Sequence, residues 1–569
     1  MFESDSTAGP TIPIPRRRKT SRGARSARVE PAESSERTDR NVTALIFASA
    51  FGIYVAFLTT HHSFDAVAGG VLLLQWIANG AARHLFHPYH ILYLPLAVAA
   101  DSLLSRVGLV VDPLTLLQLI NTLFAAGAVA LFYRIARRLG IGNVTALPLV
   151  ALFGLGHCSW YYASNAEPYP VSIFFLLLAF LSALRLPPEA SLARVVRPGL
   201  WLGLAAGFHI TCALAAPALA LAVWTGAREK RLQRSVALLA TAGLVAVAPY
   251  AFVYAYHDRT DPVSGLLAEL RATADPGYRD TVWWSIEPTN LVREWHGLGE
   301  AMAPIAQEDA PAKIPALSRA LQIGLLTLAL LPLSLAFTRR ERSGTTWMLA
   351  TWFLATFVFF STYNVASEKF AAYQWAPLLL LIGVALRALE RTRLAHRALC
   401  ALTLLLAVGT TVASLDVVRR QTDPSTNPHL RRAQAIARNT GKDDLVIHLG
   451  RGENTYQKVY TPYFAVRRSL VLDFCFNKTR QSSAETLGML AGRIAEQLEL
   501  GRRVFILGDA AEETASRREF ERIHELAPGT LARFFARFEP RVVARDPDLG
   551  DLWSLGEEQL ASVRRTDEG

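Results

Sequence analysis

Asn41 to Thr60 reads NVTALIFASAFGIYVAFLTT, and His61-His62-Ser63-Phe64-Asp65 follows at once. A run of about 20 apolar residues is the length that crosses a bilayer as a helix. An acid and two imidazoles directly behind it are expensive to hold at a membrane surface unless they have a task. Three more histidines come within Arg83-His84-Leu85-Phe86-His87-Pro88-Tyr89-His90. The pair of features predicts a membrane protein with a polar site at the mouth of its first span, and Asp65 is the candidate base.

Composition supports the class. The chain has 569 residues, of which 51% are hydrophobic and 19% charged, with mean hydropathy +0.23. That is too apolar for an ordinary soluble protein of this length. The net charge of +11 is explained by basic loops on one membrane face, so nucleic-acid binding is not expected. Arg16 to Arg28 holds seven basic residues and no acid, which keeps the N-terminus inside and against anionic membrane lipid. Cys158, Cys212, Cys400 and Cys475 are scattered, with no C-x-x-C pair, and support neither a zinc site nor a disulfide framework.

Residues 1–40 are rich in Ser, Pro, Arg and Glu and read as a disordered cytoplasmic tail. Apolar runs then stand near 42–60, 114–136, 145–162, 170–186, 197–209, 210–226, 235–256, 317–337, 345–362, 373–389 and 397–416. They predict an α-helical polytopic membrane protein with about 11 transmembrane helices over 41–418. One long helix or two short ones are both readable around Gly207-Phe208-His209. Two are preferred, because the basic loops 134–138, 185–197, 228–231, 339–342 and 387–397 then all face inside. The loops 61–113, 163–169, 257–316 and 363–372 and the C-terminal segment then face outside. Val71 to Phe86 and Ile91 to Leu104 read as interfacial helices forming a shelf in the first outer loop. Residues 419–569 read as an extracytoplasmic soluble α/β domain with a largely parallel sheet. Its strands are expected at Leu445 to Leu449, Ser469 to Phe474 and Val504 to Leu507, and its helices at Glu485 to Leu500 and Glu512 to Leu526.

The outer loops hold four polar stretches: His61 to Asp65; His87-Pro88-Tyr89-His90 with Tyr93 and Pro95; Ser164-Asn165-Ala166-Glu167-Pro168-Tyr169-Pro170; and Tyr363-Asn364-Val365-Ala366-Ser367-Glu368-Lys369, with His209 at an outer turn. In order, spacing and sidedness these resemble the GT-C superfamily of membrane glycosyltransferases, and more closely its protein O-mannosyltransferase-like branch. That branch has an acid after the first helix, a His-Pro-Pro-Gly-Tyr-like stretch, an Ala-Glu-x-Tyr signature and a Gly-x-x-x-Gly-x-His-x-Thr-like stretch. Here they match Asp65, His87 to His90, Ala166 to Tyr169, and Gly203 to Thr211. Tyr89 and His90 replace the family's second Pro and its Gly, and the acid is Asp where Glu is frequent. The resemblance covers about residues 42–390 and leaves the C-terminal segment unassigned.

The resemblance implies an inverting glycosyltransferase that moves a sugar from a polyprenyl-phosphate donor to a hydroxyl of a protein, lipid or glycan acceptor. Such chemistry needs a base by the acceptor and positive or hydrogen-bonding groups by the leaving phosphate. Asp65 is the expected base, with His61 or His62 keeping it ionised. Glu167 is expected to orient the acceptor or serve as a second carboxylate. Lys369, His209 or Arg279 is expected to hold the phosphate, and His87, Tyr89, His90, Asn165, Tyr169 and Glu368 to line the substrate site. No cofactor is expected. A divalent metal on the five histidines between 61 and 90 is a lesser alternative, since no H-E-x-x-H pattern is present. A lipid-linked-saccharide transporter would show two related halves with polar residues at the membrane midplane, and neither is seen. A scaffold for the C-terminal segment is the third reading.

Overall fold

The computed structural model describes residues 33–80, 85–257, 287–304, 315–338, 344–451, 454–478 and 482–555. Of the described residues, those up to Val42 fall in one unit and those from Thr43 onward in another. Most of the basic tail, the loop 339–342 and Arg279 lie outside the described residues. The first helix, α1, runs Glu33–Ala56, so ordered chain begins inside the stretch expected to be disordered. Glu, Ser and Arg at its start are acceptable helix formers, and polarity alone does not prevent a helix.

The helices that follow are α2 Phe64–Asn79, α3 Tyr93–Arg106, α4 Pro113–Arg138, α5 Asn143–Leu155, α6 His157–Ser164, α7 Tyr169–Leu184, α8 Leu192–Phe208, α9 Ala216–Gly226 and α10 Arg231–Phe252. Next come α11 Pro288–Met302, α12 Pro315–Thr338, α13 Gly344–Phe360, α14 Glu368–Ala388 and α15 Arg393–Gln421. Helices therefore stand at every expected apolar run. Among the described residues, four helices are long and apolar enough to cross a membrane: 113–138, 231–255, 368–388 and 393–421; the pair α5 and α6, bent by 53°, makes a fifth if counted as one span. At His209 the backbone is extended (φ −158°, ψ 119°) before a 3-10 turn begins at Ile210, so the chain makes two helices there, not one. Arg134, Arg138 and Arg197 lie within electrostatic range of Arg185, which brings two of the expected inner loops, 134–138 and 185–197, near one another.

The shelf differs from expectation in its start. The first shelf helix begins at Phe64 and not Val71, because the Ser63 side chain accepts from the Ala66 amide and caps it. It ends at Gly80, whose left-handed φ of 64° stops the helix. Asp65 is thereby fixed in the first turn of α2. The second shelf helix, α3, begins two residues later than expected. Gly70 lets α2 approach its neighbours closely: a Cβ there would lie 2.9 Å from Tyr463 Cε2 and 3.0 Å from the Leu114 side chain.

Beyond α15 come α16 Pro428–Asn439, β1 Leu445–His448, α17 Gln457–Tyr460, β2 Arg468–Val471, α18 Leu472–Lys478, α19 Ser483–Glu499, β3 Val504–Leu507, α20 Gly508–Ala511, α21 Ala515–Ile523, α22 Thr530–Ala536, β4 Arg541–Asp546 and β5 Gly550–Leu555. The strand order is β2-β1-β3-β5-β4. β1 pairs in parallel with β2 and β3, while β5 is antiparallel to both β3 and β4. The sheet is therefore mixed rather than largely parallel, because a β4–β5 hairpin closes one side. Gly550 (φ 77°) turns that hairpin.

The sheet has its own core, including Ile447, Ile494, Ile506 and Phe520. A second core joins the shelf to the C-terminal segment: Ala66, Leu73, Leu94 and Leu117 pack with Leu430, Ala433, Val459, Tyr460 and Tyr463. The polar contacts agree. Tyr460 Oη donates to the His62 carbonyl at 2.7 Å, Asn427 Nδ2 to the Thr60 carbonyl at 2.6 Å, and Tyr463 Oη to Asp112 Oδ1 at 2.7 Å. The segment that carries the sheet is thus seated directly on the loop that carries the first polar cluster.

Candidate functional site

Asp65 and Lys369 meet. Lys369, the second residue of α14, donates from Nζ to Asp65 Oδ2 at 2.5 Å across 304 residues of sequence. The Asp65 side chain is half exposed and that of Lys369 about a third exposed, so the pair opens to solvent. Expectation placed His61 or His62 beside Asp65; the structure pairs it with Lys369. His61 turns away, its Nε2 sharing a proton with Thr426 Oγ1 at 2.9 Å. His62 stacks on Phe464, and burial pushes its imidazole down to about 4.

Glu167 is the third member. It lies in the turn between α6 and α7 and is buried, and neither carboxylate oxygen has a hydrogen-bond partner of good geometry. Lys369, Asp65, Ser63 and Tyr169 surround it. Burial pushes its pKa up, to about 7; Lys369 opposes the shift, Asp65 adds to it, and the Ser63 and Tyr169 hydroxyls oppose it. A folded pKa above the unfolded value means that this group favours the folded state on the acid side and loses that contribution as pH rises through about 7. The contribution is lost mainly between the ordinary carboxylate value of 4.5 and about 7; the nearby histidines with lowered pKa act in the opposite sense below about pH 6.5, so the comparison with Glu167→Gln isolates this group. The thermal unfolding temperature of the purified protein relative to that of Glu167→Gln should fall as pH rises from about 5 to 7 and level off above it.

The sequence does not single out the groups that shape this turn. Asn121 Nδ2 donates to the carbonyls of Asn165 and Glu167, both at 2.6 Å, and Gln118 Nε2 to those of Thr59 and Ser164, both at 2.8 Å. These two amides, three residues apart on one face of α4, bind both polar loops to the same helix. A pair of buried amides in an apolar span is the signal that could have found them. Asn165 serves the same turn, its Oδ1 accepting from the Ala166 amide at 2.8 Å.

The histidines approach from the other side. His87 and His90 stack at 4.2 Å between ring centres, and Tyr89 lies 5.4 Å from His87. Their loop is seated on the helix break: the Leu92 amide donates to Gly207 O at 3.1 Å and the Ile210 amide to Tyr89 O at 3.0 Å. His209 Nδ1 shares a proton with Thr211 Oγ1 at 2.7 Å, and its ring packs 5.0 Å from Tyr169. His87, Lys369 and Asp65 are all within electrostatic range of His209. Burial lowers the pKa of both His87 and His90, so these rings offer hydrogen bonds rather than fixed charge. Among the described residues, no three His, Cys, Asp or Glu side chains are gathered so as to hold a metal ion. Glu368 lies 4.0 Å from His157 Nδ1, and Arg279 lies outside the described residues.

The loop before Lys369 has a latch. Asn364 and Ala366 adopt left-handed φ of 52° and 61°, a strained choice for residues with a Cβ. Buried Glu294 of α11 holds the second one, accepting from the Ala366 amide and from Gln374 Nε2, both at 2.6 Å. Gly297, one turn on, admits the loop: a Cβ there would lie 2.6 Å from Ala366 Cα. Glu294→Ala leaves two donors without their acceptor and should destabilise the protein by roughly 2–4 kcal/mol. Thermal unfolding measures the loss, and Glu294→Gln should cost less because one acceptor oxygen remains.

No family model and no curated protein matches the sequence. The fold is similar to that of ArnT from Cupriavidus metallidurans. The crystal structure of ArnT bound to undecaprenyl phosphate aligns with TM-score 0.55 at 13% identity, covering 91% of this chain and 99% of that one. The structure in the apo state aligns with TM-score 0.55 at 14% identity, covering 92% and 99%. At this identity the likeness is one of fold. It does not single out the O-mannosyltransferase branch.

Proposed function

We propose that the chain is a membrane glycosyltransferase that moves a sugar from a polyprenyl-phosphate donor to a hydroxyl acceptor on the extracytoplasmic side. The observation that carries this reading is the Asp65–Lys369 pair with buried Glu167 beside it. A carboxylate and a cation at one mouth are the two charges the reaction needs. Asp65 takes the proton of the acceptor hydroxyl as that oxygen forms its bond to the anomeric carbon. The bond from that carbon to the phosphate oxygen breaks, and Lys369 meets the charge that collects on the departing polyprenyl phosphate. Attack from the face opposite the leaving group gives inversion. Buried Glu167 acts through its neighbours, its carboxyl bearing on Asp65 and Lys369 and so on the base and the cation. Neutral His87, His90 and His209 fill the donor side with hydrogen-bonding groups.

Two further facts support the reading. ArnT, of similar fold, binds undecaprenyl phosphate. An apolar groove of about 310 Å³, lined by Leu147, Pro148, Ala151, Leu404 and Val408, runs between α5 and α15, and a surface of this kind suits a lipid tail. The chain then belongs in a bacterial inner membrane with its N-terminus in the cytoplasm, in keeping with its basic loops. The test is to offer the purified protein in lipid nanodiscs a panel of undecaprenyl-phosphate-linked sugars with labelled glycosyl groups, together with a bacterial cell-envelope extract as the source of hydroxyl acceptors. Release of undecaprenyl phosphate from at least one donor is expected. Full retention of every label would overturn the reading.

A further inference from the structure

The polar edge of the sheet faces the same mouth. In open sheets with parallel strands, ligands are met beyond the C-terminal ends of those strands. Here the chain leaves β1 at His448, turns at Gly450 (φ 75°) and reaches Tyr456 immediately before α17. Asp473, at the matching end of β2, grips this turn from both sides: Arg451 Nε donates to it at 2.5 Å and Lys458 Nζ at 2.9 Å, with His524 Nε2 at 3.3 Å. Three partners on one carboxylate fix the backbone that presents Tyr456.

The ring itself is oriented. Tyr456 stacks on His429 at 4.0 Å with an interplanar angle of 11°, and meets Phe64, the neighbour of Asp65, edge to face at 6.4 Å. It is partly exposed and lies within electrostatic range of Lys369 and of Tyr161. An aromatic side chain held flat by a second ring, beside a carboxylate and a cation, has the features of a site for a polar ring. The apolar C–H face of a pyranose packs on the aromatic face while its hydroxyls reach the charged groups.

Resting on the transferase reading, we infer that Tyr456 binds a pyranose ring of the acceptor, so that the acceptor is a glycan and the C-terminal segment forms its site. The stacked ring presents a hydroxyl toward Asp65, and the sheet edge acts as the wall that selects it.

Saturation-transfer NMR on the full chain in nanodiscs tests this, with the methyl α-pyranosides of glucose, mannose and galactose as probes. Transfer to the ring protons of at least one glycoside is expected for the wild type, for Tyr456→Phe and for Asp65→Asn. Tyr456→Leu keeps apolar bulk without an aromatic face and should weaken that binding about three- to tenfold, leaving undecaprenyl-phosphate binding unchanged. If Tyr456→Leu does not fold, His429→Ala, which frees the back of the ring, should show the same loss. No transfer in the wild type, or equal transfer in the Leu variant, overturns the inference. So does a Leu variant that loses affinity for an undecaprenyl-phosphate sugar but keeps the glycoside, since the stacked ring would then be the donor's. Retention of every donor label by the wild type would sink the transferase reading while leaving the glycoside result to stand by itself.

Discussion

Asp65→Asn is expected to lower glycosyl transfer at least about a hundredfold, the usual scale for losing a general base. The substitution keeps the shape of the side chain and leaves the Ser63 cap of α2 untouched, so the fold should persist. It also releases Lys369 from its 2.5 Å partner. Affinity for undecaprenyl phosphate should therefore hold or rise while turnover falls. That split separates a base from a helix-capping residue, whose loss would lower stability and leave turnover per folded molecule nearly unchanged. Turnover within a few-fold of wild type would remove Asp65 from the chemistry.

Lys369→Met has a comparable effect by a different route. With the ammonium gone, nothing from α14 meets the charge on the departing phosphate. Removing one such group costs roughly a hundred- to a thousandfold in turnover. Glu167 changes as well. Lys369 is the largest influence holding its pKa down, so without it the carboxyl moves further up and stays protonated at neutral pH. Lys369→Met should thus lower both turnover and affinity for undecaprenyl phosphate, and it should shift the unfolding step assigned to Glu167 to higher pH. Lys369→Arg should recover part of the affinity, since the positive charge is kept. Donor kinetics across pH, with unfolding followed in parallel, measure all three.

Much of the helical part was legible because long apolar runs and basic loops leave few alternatives. The break at Gly207-Phe208-His209 was legible as a choice, and the extended backbone at His209 decides it. The start of α2 was not, because hydrophobic periodicity begins at Val71 whereas the helix is set by the Ser63 cap. The hairpin β4–β5 was missed for a related reason: Arg541 to Asp546 is largely exposed and charged, with little apolar alternation to mark a strand.

The site was legible one residue at a time, not as pairings. Asp65, Glu167 and Lys369 each stood out as charged residues at span ends. That Lys369 and not His61 would pair with Asp65 depends on how α14 lies against α2, which local sequence does not encode. Glu294 lies in a segment read only as an outer loop, and its two acceptor oxygens gain meaning once Ala366 and Gln374 are beside them. Tyr456 is the strongest case. It comes from a segment with no resemblance to lean on, and only the contact with His429 and Phe64 places it at the mouth.

The most direct test of the central claim is a cryo-electron microscopy structure of the purified protein with undecaprenyl phosphate bound. The account predicts a phosphate oxygen within hydrogen-bonding reach of Lys369 Nζ, with the Asp65 carboxylate released toward the open mouth beside Glu167. A phosphate bound elsewhere, with the Asp65–Lys369 pair intact, would contradict it.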